Sequence, residues 1–231
     1  MKIKLIVLLL LILSILPSCT VNSTNIAEGL LKQTESIDME KLNSDIQAMY
    51  QTNIAEMLIA NKPIYLLTLI SDDKIRNATL SDPIPAFQSS EKYKKGDDYK
   101  SKLKLAGWDI IVSSDGHPIA VFAIGKLMGE YAYHYTKGEE YAILFTETLK
   151  RIDQSSALVL PLGEHDFLAD NTDTVVPLLT ENEITGEIFP TRSFKEFNAA
   201  VNKSIDYYAE IDPKDLFIGG NKVLLDALYG E

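Results

Sequence analysis

Along most of the chain, segments in which apolar residues recur at helical spacing are interspersed with short apolar runs typical of strands. From Asp38 to Asn61, apolar residues recur at near-helical spacing on a polar background, which predicts an amphipathic helix. Residues 139–152 show the same spacing, with acidic residues in the first turn and basic residues in the last, as the helix dipole favours. Ser193 and Glu196 match a capping box, which predicts that a third helix begins there.

Short apolar runs between these segments predict strands. Pro83 and Pro85 limit residues 84–87 to an edge strand or a loop, since proline cannot donate a ladder hydrogen bond. Asp115-Gly116 between two apolar runs is a hairpin signal, because both turn positions must accept a positive φ. The pattern predicts an α+β fold with an antiparallel sheet and with N- and C-terminal helices. We expect the strands at residues 64–70, 75–80, 108–112, 119–124, 131–135, 157–162, 166–169 and 175–179.

Two stretches share the pattern Tyr-x-Lys-Gly-acid-acid-Tyr: residues 93–99 and residues 135–141. Recurrence of a pattern at such a separation along the chain is typical of an internal duplication. It predicts units of three antiparallel strands followed by a helix, at about residues 63–106, 107–153 and 154–210, merging into one sheet covered by helices. Chance similarity between short polar turns is the alternative.

The N-terminus divides the chain into segments. Lys2 and Lys4 precede an apolar run at residues 5–16, the pattern of a secretory signal, and this run is too short to span a bilayer. We therefore expect a signal peptide at residues 1–18, a polar tether at 19–37 and an α+β domain at 38–231.

The run ends in Leu16-Pro17-Ser18-Cys19. This arrangement resembles the lipobox of bacterial lipoproteins, with Leu at position −3, a small residue at −1 and then the cysteine. The resemblance implies that Cys19 becomes the N-terminus and carries acyl chains such as palmitate, which would anchor the protein to the cell envelope. The residue after the cysteine is Thr20 and not aspartate, which by the same resemblance implies that the protein is sorted to the outer membrane in a bacterium with two membranes. An ordinary secretory signal, giving a secreted protein, is the alternative.

Charge and composition argue against several classes of partner and of site. Removing Lys2 and Lys4 with the signal takes the formal net charge from −11 to −13, and this acidity argues against a nucleic-acid partner. The single cysteine excludes a disulfide framework and a thiolate zinc site. No phosphate loop, dinucleotide fingerprint or paired-histidine motif occurs, so we predict no cofactor, no metal and no catalytic residue.

Two groups of residues could contact a partner. Tyr131, Tyr133 and Tyr135 alternate, so a regular strand would place all three on one face, where they could bind a protein or glycan or pack beneath a helix. A local excess of lysines could meet an acidic partner or lipid headgroups, or could form a solvated helix face. These lysines are Lys92, Lys94, Lys95, Lys100, Lys102 and Lys104.

The sequence therefore favours a non-enzymatic, lipid-anchored protein that binds a protein, peptide or glycan. One alternative is an envelope hydrolase whose acid–base pair is assembled from distant residues, for instance around Glu164, His165 and Asp166. A propeptide-like or inhibitor-like module is a further alternative.

Overall fold

The structure is a computed structural model that describes residues 26–89, 94–127, 129–162, 165–182, 187–209 and 227–229. The protein has an α+β fold, as the sequence predicts, and its large sheet is mixed but mostly antiparallel. The signal segment and Cys19 lie outside the described residues.

The helices bear out the periodicity of the sequence. The helix predicted from Asp38 is present as α2 (Met39–Met49), a π-helical turn at Tyr50–Ile54 and α3 (Ala55–Ala60), and the Asp38 side chain caps it by accepting from Lys41 N. At the N-terminus of α6 (Phe194–Ala209), Ser193 and Glu196 form the predicted capping box, with the Ser193 Oγ accepting from Glu196 N at 3.1 Å. The helices are α1 (Ile26–Leu31), α2 (Met39–Met49), α3 (Ala55–Ala60), α4 (Asp72–Arg76), α5 (Glu139–Leu149) and α6 (Phe194–Ala209).

Eleven strands form two sheets within the described residues. They are β1 (Thr79–Leu80), β2 (Ile84–Ser89), β3 (Leu103–Ser114), β4 (His117–Leu127), β5 (Glu130–Lys137), β6 (Leu158–Leu162), β7 (His165–Ala169), β8 (Thr174–Pro177), β9 (Thr180–Asn182), β10 (Glu187–Ile188) and β11 (Arg192–Ser193). The large sheet has the order β11-β8-β7-β6-β2-β3-β4-β5, with β1 beside β3, and β9 pairs with β10 separately. The predicted hairpin joins β3 to β4, where Asp115 and Gly116 have φ values of 52° and 79°.

Strand β2 lies at the centre of the sheet, so the expectation of an edge strand or loop at residues 84–87 is wrong. Antiparallel pairing with β3 runs along the whole strand, whereas the parallel pairing with β6 is confined to Ala86 and Val159. Pro85 is tolerated because the β6 side of β2 demands few backbone donors.

The predicted strand at residues 64–70 is also wrong, because this segment is a series of turns. Its backbone groups bond locally, as in the hydrogen bond from Leu67 N to Lys62 O, and Leu66 has a φ of 61°. Leu67 is buried, whereas Leu69 is almost fully exposed. Of the strand predicted at residues 75–80, only residues 79 and 80 form a strand, β1, while residues 75 and 76 belong to α4.

The sheet consists of two topologically equivalent halves. β2-β3-β4-β5 leads into α5, and β6-β7-β8-β11 leads into α6, while the parallel pair β2 and β6 joins the halves. The described parts of residues 107–153 and 154–210 each contain strands followed by a helix, but the proposed boundary at residue 107 falls inside β3. The described residues of 63–106 form α4, β1, β2, a 3-10 turn at Tyr99–Lys102 and the start of β3. The duplication itself stays a prediction.

Helices cover both faces of this sheet. One face carries Trp108, Ile110 and Phe122 and packs against α2 and α3, while α1 and α6 cover the same face of the other half. The opposite face carries Ile111 and Val121 and packs against α5. No helix among the described residues is long and apolar enough to cross a membrane.

The sheet curls around the face that α5 covers. Four strands separate β5 from β7 in the sheet order, so a flat sheet would hold them about 24 Å apart. The Lys137 ammonium on β5 nevertheless contacts the Asp166 carboxylate on β7 at 2.5 Å. The α5 side is therefore concave, and we call it the concave face.

Candidate functional site

The concave face contains a cavity of about 280 Å³. Small residues in register form its floor: Ala86 pairs with Gly107, and Gly107 pairs with Gly125 on the next strand. The cavity is lined by Ala86, Gln88, Ala106, Gly107, Trp108, Asp109, Ala123, Ile124, Gly125, Lys126, His134, Tyr135, Lys137 and Asp166. Ile111 and Val121 lie on the same face further along β3 and β4, and they pack in the hydrophobic cluster formed with α5.

Gly107 is required by the close approach of two backbones. A Cβ atom at this position would lie 2.0 Å from the Ile124 carbonyl oxygen, well inside contact distance. Gly125 is less constrained, since its Cβ would meet Ala106 O at 3.3 Å. The floor of the cavity at residue 107 is thus backbone, because the paired strand leaves no room for a larger side chain there.

Asp109 is a carboxyl buried at the centre of β3. Only 1% of this residue is exposed, and it stands in the same register row as Ala123 and Tyr135. The Tyr135 hydroxyl donates to the Asp109 Oδ1 and Oδ2 atoms, at 3.1 and 3.2 Å. One hydroxyl proton is thereby shared between two oxygens, which leaves acceptor capacity on Asp109 toward the cavity.

Asp166 is the second buried carboxylate of the cavity, and it is well satisfied. Its Oδ2 atom accepts from Lys137 Nζ at 2.5 Å and from the Tyr141 hydroxyl at 2.5 Å. The Lys137 ammonium also lies 4.0 Å from the centre of the Tyr141 ring, a cation–π contact. Strand β5 and the first turn of α5 therefore supply every described partner of both carboxyl groups.

The two carboxyl groups influence each other electrostatically. Burial, and secondarily the negative charge of Asp166, raise the pKa of Asp109 to about 7, while the Tyr135 hydrogen bond and Lys137 oppose this rise. Burial and the same two carboxylates raise the pKa of Tyr135 and of Tyr141, so both phenols stay protonated donors. At neutral pH Asp109 exchanges between its charged and neutral forms.

The predicted tyrosine row does not share one face. Tyr133 pairs with Ile124 whereas Tyr135 pairs with Ala123, so a β-bulge at His134 shifts the alternation by one residue. Tyr135 consequently enters the concave face, while Tyr131 packs on the opposite face and accepts from the Trp108 indole at 3.4 Å. Tyr133 is 42% exposed, so it alone of the three is largely open to solvent.

The other sequence-predicted residues fall in different places. Of the trio suggested for hydrolysis, Asp166 lines the cavity, Glu164 lies outside the described residues, and the structure describes only the backbone of His165. His117 pairs with Glu139 at 2.6 Å, away from the cavity, whereas His134 lines it. In the described part of the chain, no group of three metal-ligating side chains comes together.

Sequence reasoning missed Asp109, Lys137 and Tyr141 as members of one site. Asp109 did carry a signal, because it is the lone charge inside the apolar run from Trp108 to Val112. The partners of Asp166 depend on the curl of the sheet, which no local pattern reports.

Comparison with known proteins gives no precedent for this arrangement. The chain matches no protein-family model, no curated protein and no solved structure.

Proposed function

We propose that this protein is a lipid-anchored protein of the bacterial cell envelope that binds a small ligand in its concave cavity. One observation carries the binding proposal: the cavity presents the buried, incompletely hydrogen-bonded carboxyl of Asp109. A buried carboxyl costs folding free energy unless it is fully paired, and such costs are characteristic of functional sites.

The chemistry of the cavity favours a ligand that carries an ammonium group. Lys137 forms its ion pair with Asp166 and not with Asp109. When Asp109 is ionised, its negative charge is therefore stabilised directly only by the hydrogen bond that the Tyr135 hydroxyl shares between its two oxygens. A primary ammonium group carries three donors and one positive charge. It would complete the hydrogen bonding of Asp109 and neutralise its charge.

A matched series of fragments tests this proposal: benzylamine, benzyl alcohol and benzoate. At pH 8 we expect benzylamine to raise the midpoint of thermal unfolding of the wild type and benzoate to leave it unchanged. Binding should weaken about tenfold per pH unit below 7, because Asp109 must lose its proton to pair with the cation.

Asp109→Asn is the informative variant, and Asp115→Asn, in the exposed hairpin turn, is its control. The first should lose the response to benzylamine and the second should keep it. An equal response in the wild type and Asp109→Asn, or no response to benzylamine at all, would contradict the proposal.

A second candidate function is hydrolysis with Asp109 as the proton donor. The observation favouring it is the pKa of about 7, which suits a general acid near neutral pH, together with a second carboxylate at Asp166. Nitrophenyl glycosides and esters are suitable probes. Turnover that declines above pH 7 and disappears in Asp109→Asn would support hydrolysis, whereas turnover equal in both proteins would eliminate Asp109 as the acid.

The anchoring proposal rests on Cys19 and has its own test. We expect a radiolabelled fatty acid supplied to cells to appear on the wild-type chain and not on Cys19→Ala, which should leave the membrane fraction. Label and membrane association that persist in Cys19→Ala would show that this residue is not the lipid attachment site.

A further inference from the structure

Helix α1 fixes the point at which the tether enters the domain. Ala27 and Leu30 are buried in the core beneath α1. The Gln33 side chain, in the turn after α1, donates to Leu103 O and accepts from Leu105 N, at 3.3 and 3.1 Å. Ile26 is thereby held at the end of the sheet where β3 begins.

Exposed lysines stand beside this entry point. Ile26 and Gly29 line the same recess as Lys100 and Lys104, and both lysines are exposed. Residues 94–104 carry five lysines against two aspartates, in a chain whose overall charge is strongly negative. Lys102 pairs with Asp97, Lys100 lies 4.0 Å from Asp98, and Asp206 accepts from Gly96 N, so the local excess of positive charge is modest.

The tether is short enough to define which end of the domain approaches the membrane. Seven residue steps separate Cys19 from Ile26, and a fully extended chain of that length reaches about 25 Å. Strand β3 alone, from Leu103 to Ser114, is about 36 Å long. An anchor at Cys19 therefore brings the beginning of β3 to the membrane more readily than its far end.

The far end of the sheet has no such excess of positive charge. Asp115, in the hairpin turn after β3, pairs with Lys74 of α4 at 2.8 Å, and the carboxylates of Asp72 and Asp73 at the start of α4 are paired with basic side chains as well. An anionic bilayer would therefore attract the lysines beside α1 more strongly than this charge-balanced end.

We infer that the lysine-bearing segment 94–104, together with α1, forms a surface that docks on anionic lipid headgroups and orients the domain with its β3–β4 hairpin away from the membrane. The inference rests on the proposed attachment at Cys19. The short tether supplies proximity, and the lysines select the orientation.

The experiment uses the chemistry of the single cysteine, so that it does not depend on acylation in cells. The chain from Cys19 onward, made without acyl groups, is coupled through the Cys19 thiol to a maleimide lipid. One set of vesicles contains phosphatidylglycerol with phosphatidylcholine, and the other contains phosphatidylcholine alone. Acetylation of each lysine by an amine-reactive reagent is then followed by mass spectrometry.

Lys100 and Lys104 should be acetylated roughly fivefold more slowly on anionic than on neutral vesicles, the factor that one lysine contributes at an anionic surface. Lys74, at the far end, serves as the internal control and should react equally on both. High salt should abolish the difference, because it screens exposed charges.

The double substitution of Lys100→Glu and Lys104→Glu should remove the protection of Lys94 on anionic vesicles. Equal acetylation of Lys100, Lys104 and Lys74 on both kinds of vesicle, or protection of Lys74 instead, would overturn the inference. A failed fatty-acid labelling of Cys19 in cells would refute the anchor, while this experiment reports the docking surface separately.

Discussion

Asp109→Asn is expected to raise the free energy of unfolding at pH 8 by about 2 kcal/mol, although it removes a buried hydrogen-bonded group. The pKa of Asp109 is about 7 in the folded protein, against an ordinary value of 3.8. Ionising Asp109 inside the protein costs about 4 kcal/mol, and the variant avoids this cost. The asparagine introduces amide hydrogens that lack acceptors, which should offset roughly half of the gain.

The gain should depend on pH in a defined direction. A carboxyl whose pKa is raised by folding binds its proton more tightly in the folded state, so wild-type stability should fall as the pH rises from about 4 to about 7. Asparagine does not titrate, so the advantage of the variant should level off above pH 7, vanish near pH 5 and become a deficit of about 1–2 kcal/mol near pH 4. Urea unfolding of both proteins across this range measures the difference.

Asp115→Asn, in the exposed hairpin turn, is the control and should change stability little at any of these pH values. A pH-independent difference, or an Asp109→Asn protein less stable than wild type at pH 8, would contradict the assignment of Asp109 as a strained ionisable group.

Gly107→Ala is expected to destabilise the protein by about 3 kcal/mol or more, or to prevent folding. The added methyl would lie 2.0 Å from the Ile124 carbonyl oxygen and 2.9 Å from its carbonyl carbon. Both atoms belong to the backbone of the paired strand, so the clash cannot be relieved by a side-chain rotation. Denaturant unfolding, or the yield of soluble protein if the variant does not fold, measures the effect.

Two other glycines provide graded comparisons for Gly107→Ala. Gly125→Ala places its methyl 3.3 Å from Ala106 O, and it should cost under about 1 kcal/mol because a few tenths of an ångström suffice to relieve it. Gly29→Ala, in α1 with no atom within 4 Å, should stabilise by roughly 0.5–1 kcal/mol through helix propensity. Equal effects at all three positions would show that the floor of the cavity is not closely packed.

Local chemistry predicted those elements whose signals act over a few residues. The positive φ values of Asp115 and Gly116 and the reciprocal hydrogen bonds of Ser193 and Glu196 are set by neighbouring atoms, and the structure contains both. The helix at 139–152 was predicted from its spacing and is present as α5.

The errors arose where tertiary structure overrides local preference. The apolar run at 64–70 has strand composition, yet only Leu67 is fully buried, and the Tyr65 carbonyl accepts from the amide of Glu139 and not from a neighbouring strand. The alternation of Tyr131, Tyr133 and Tyr135 failed for a similar reason. A single bulge residue, His134, reversed which face Tyr135 occupies.

The candidate site lies beyond local prediction because it depends on the curvature of the sheet. Lys137 and Asp166 are 29 positions apart in sequence and lie on strands that have four others between them in the sheet, so they meet only because the sheet curls. Asp109 could have been singled out as an isolated charge in a buried strand, but its pairing with Tyr135 required the register of β3, β4 and β5.

The most direct test of the ligand site is an NMR titration of the Asp109 side-chain carboxyl carbon, with and without benzylamine. We expect a midpoint near pH 7 in the free protein, which benzylamine shifts to lower pH because the cation stabilises the carboxylate. A midpoint near the ordinary value of 3.8, unmoved by benzylamine, would contradict it.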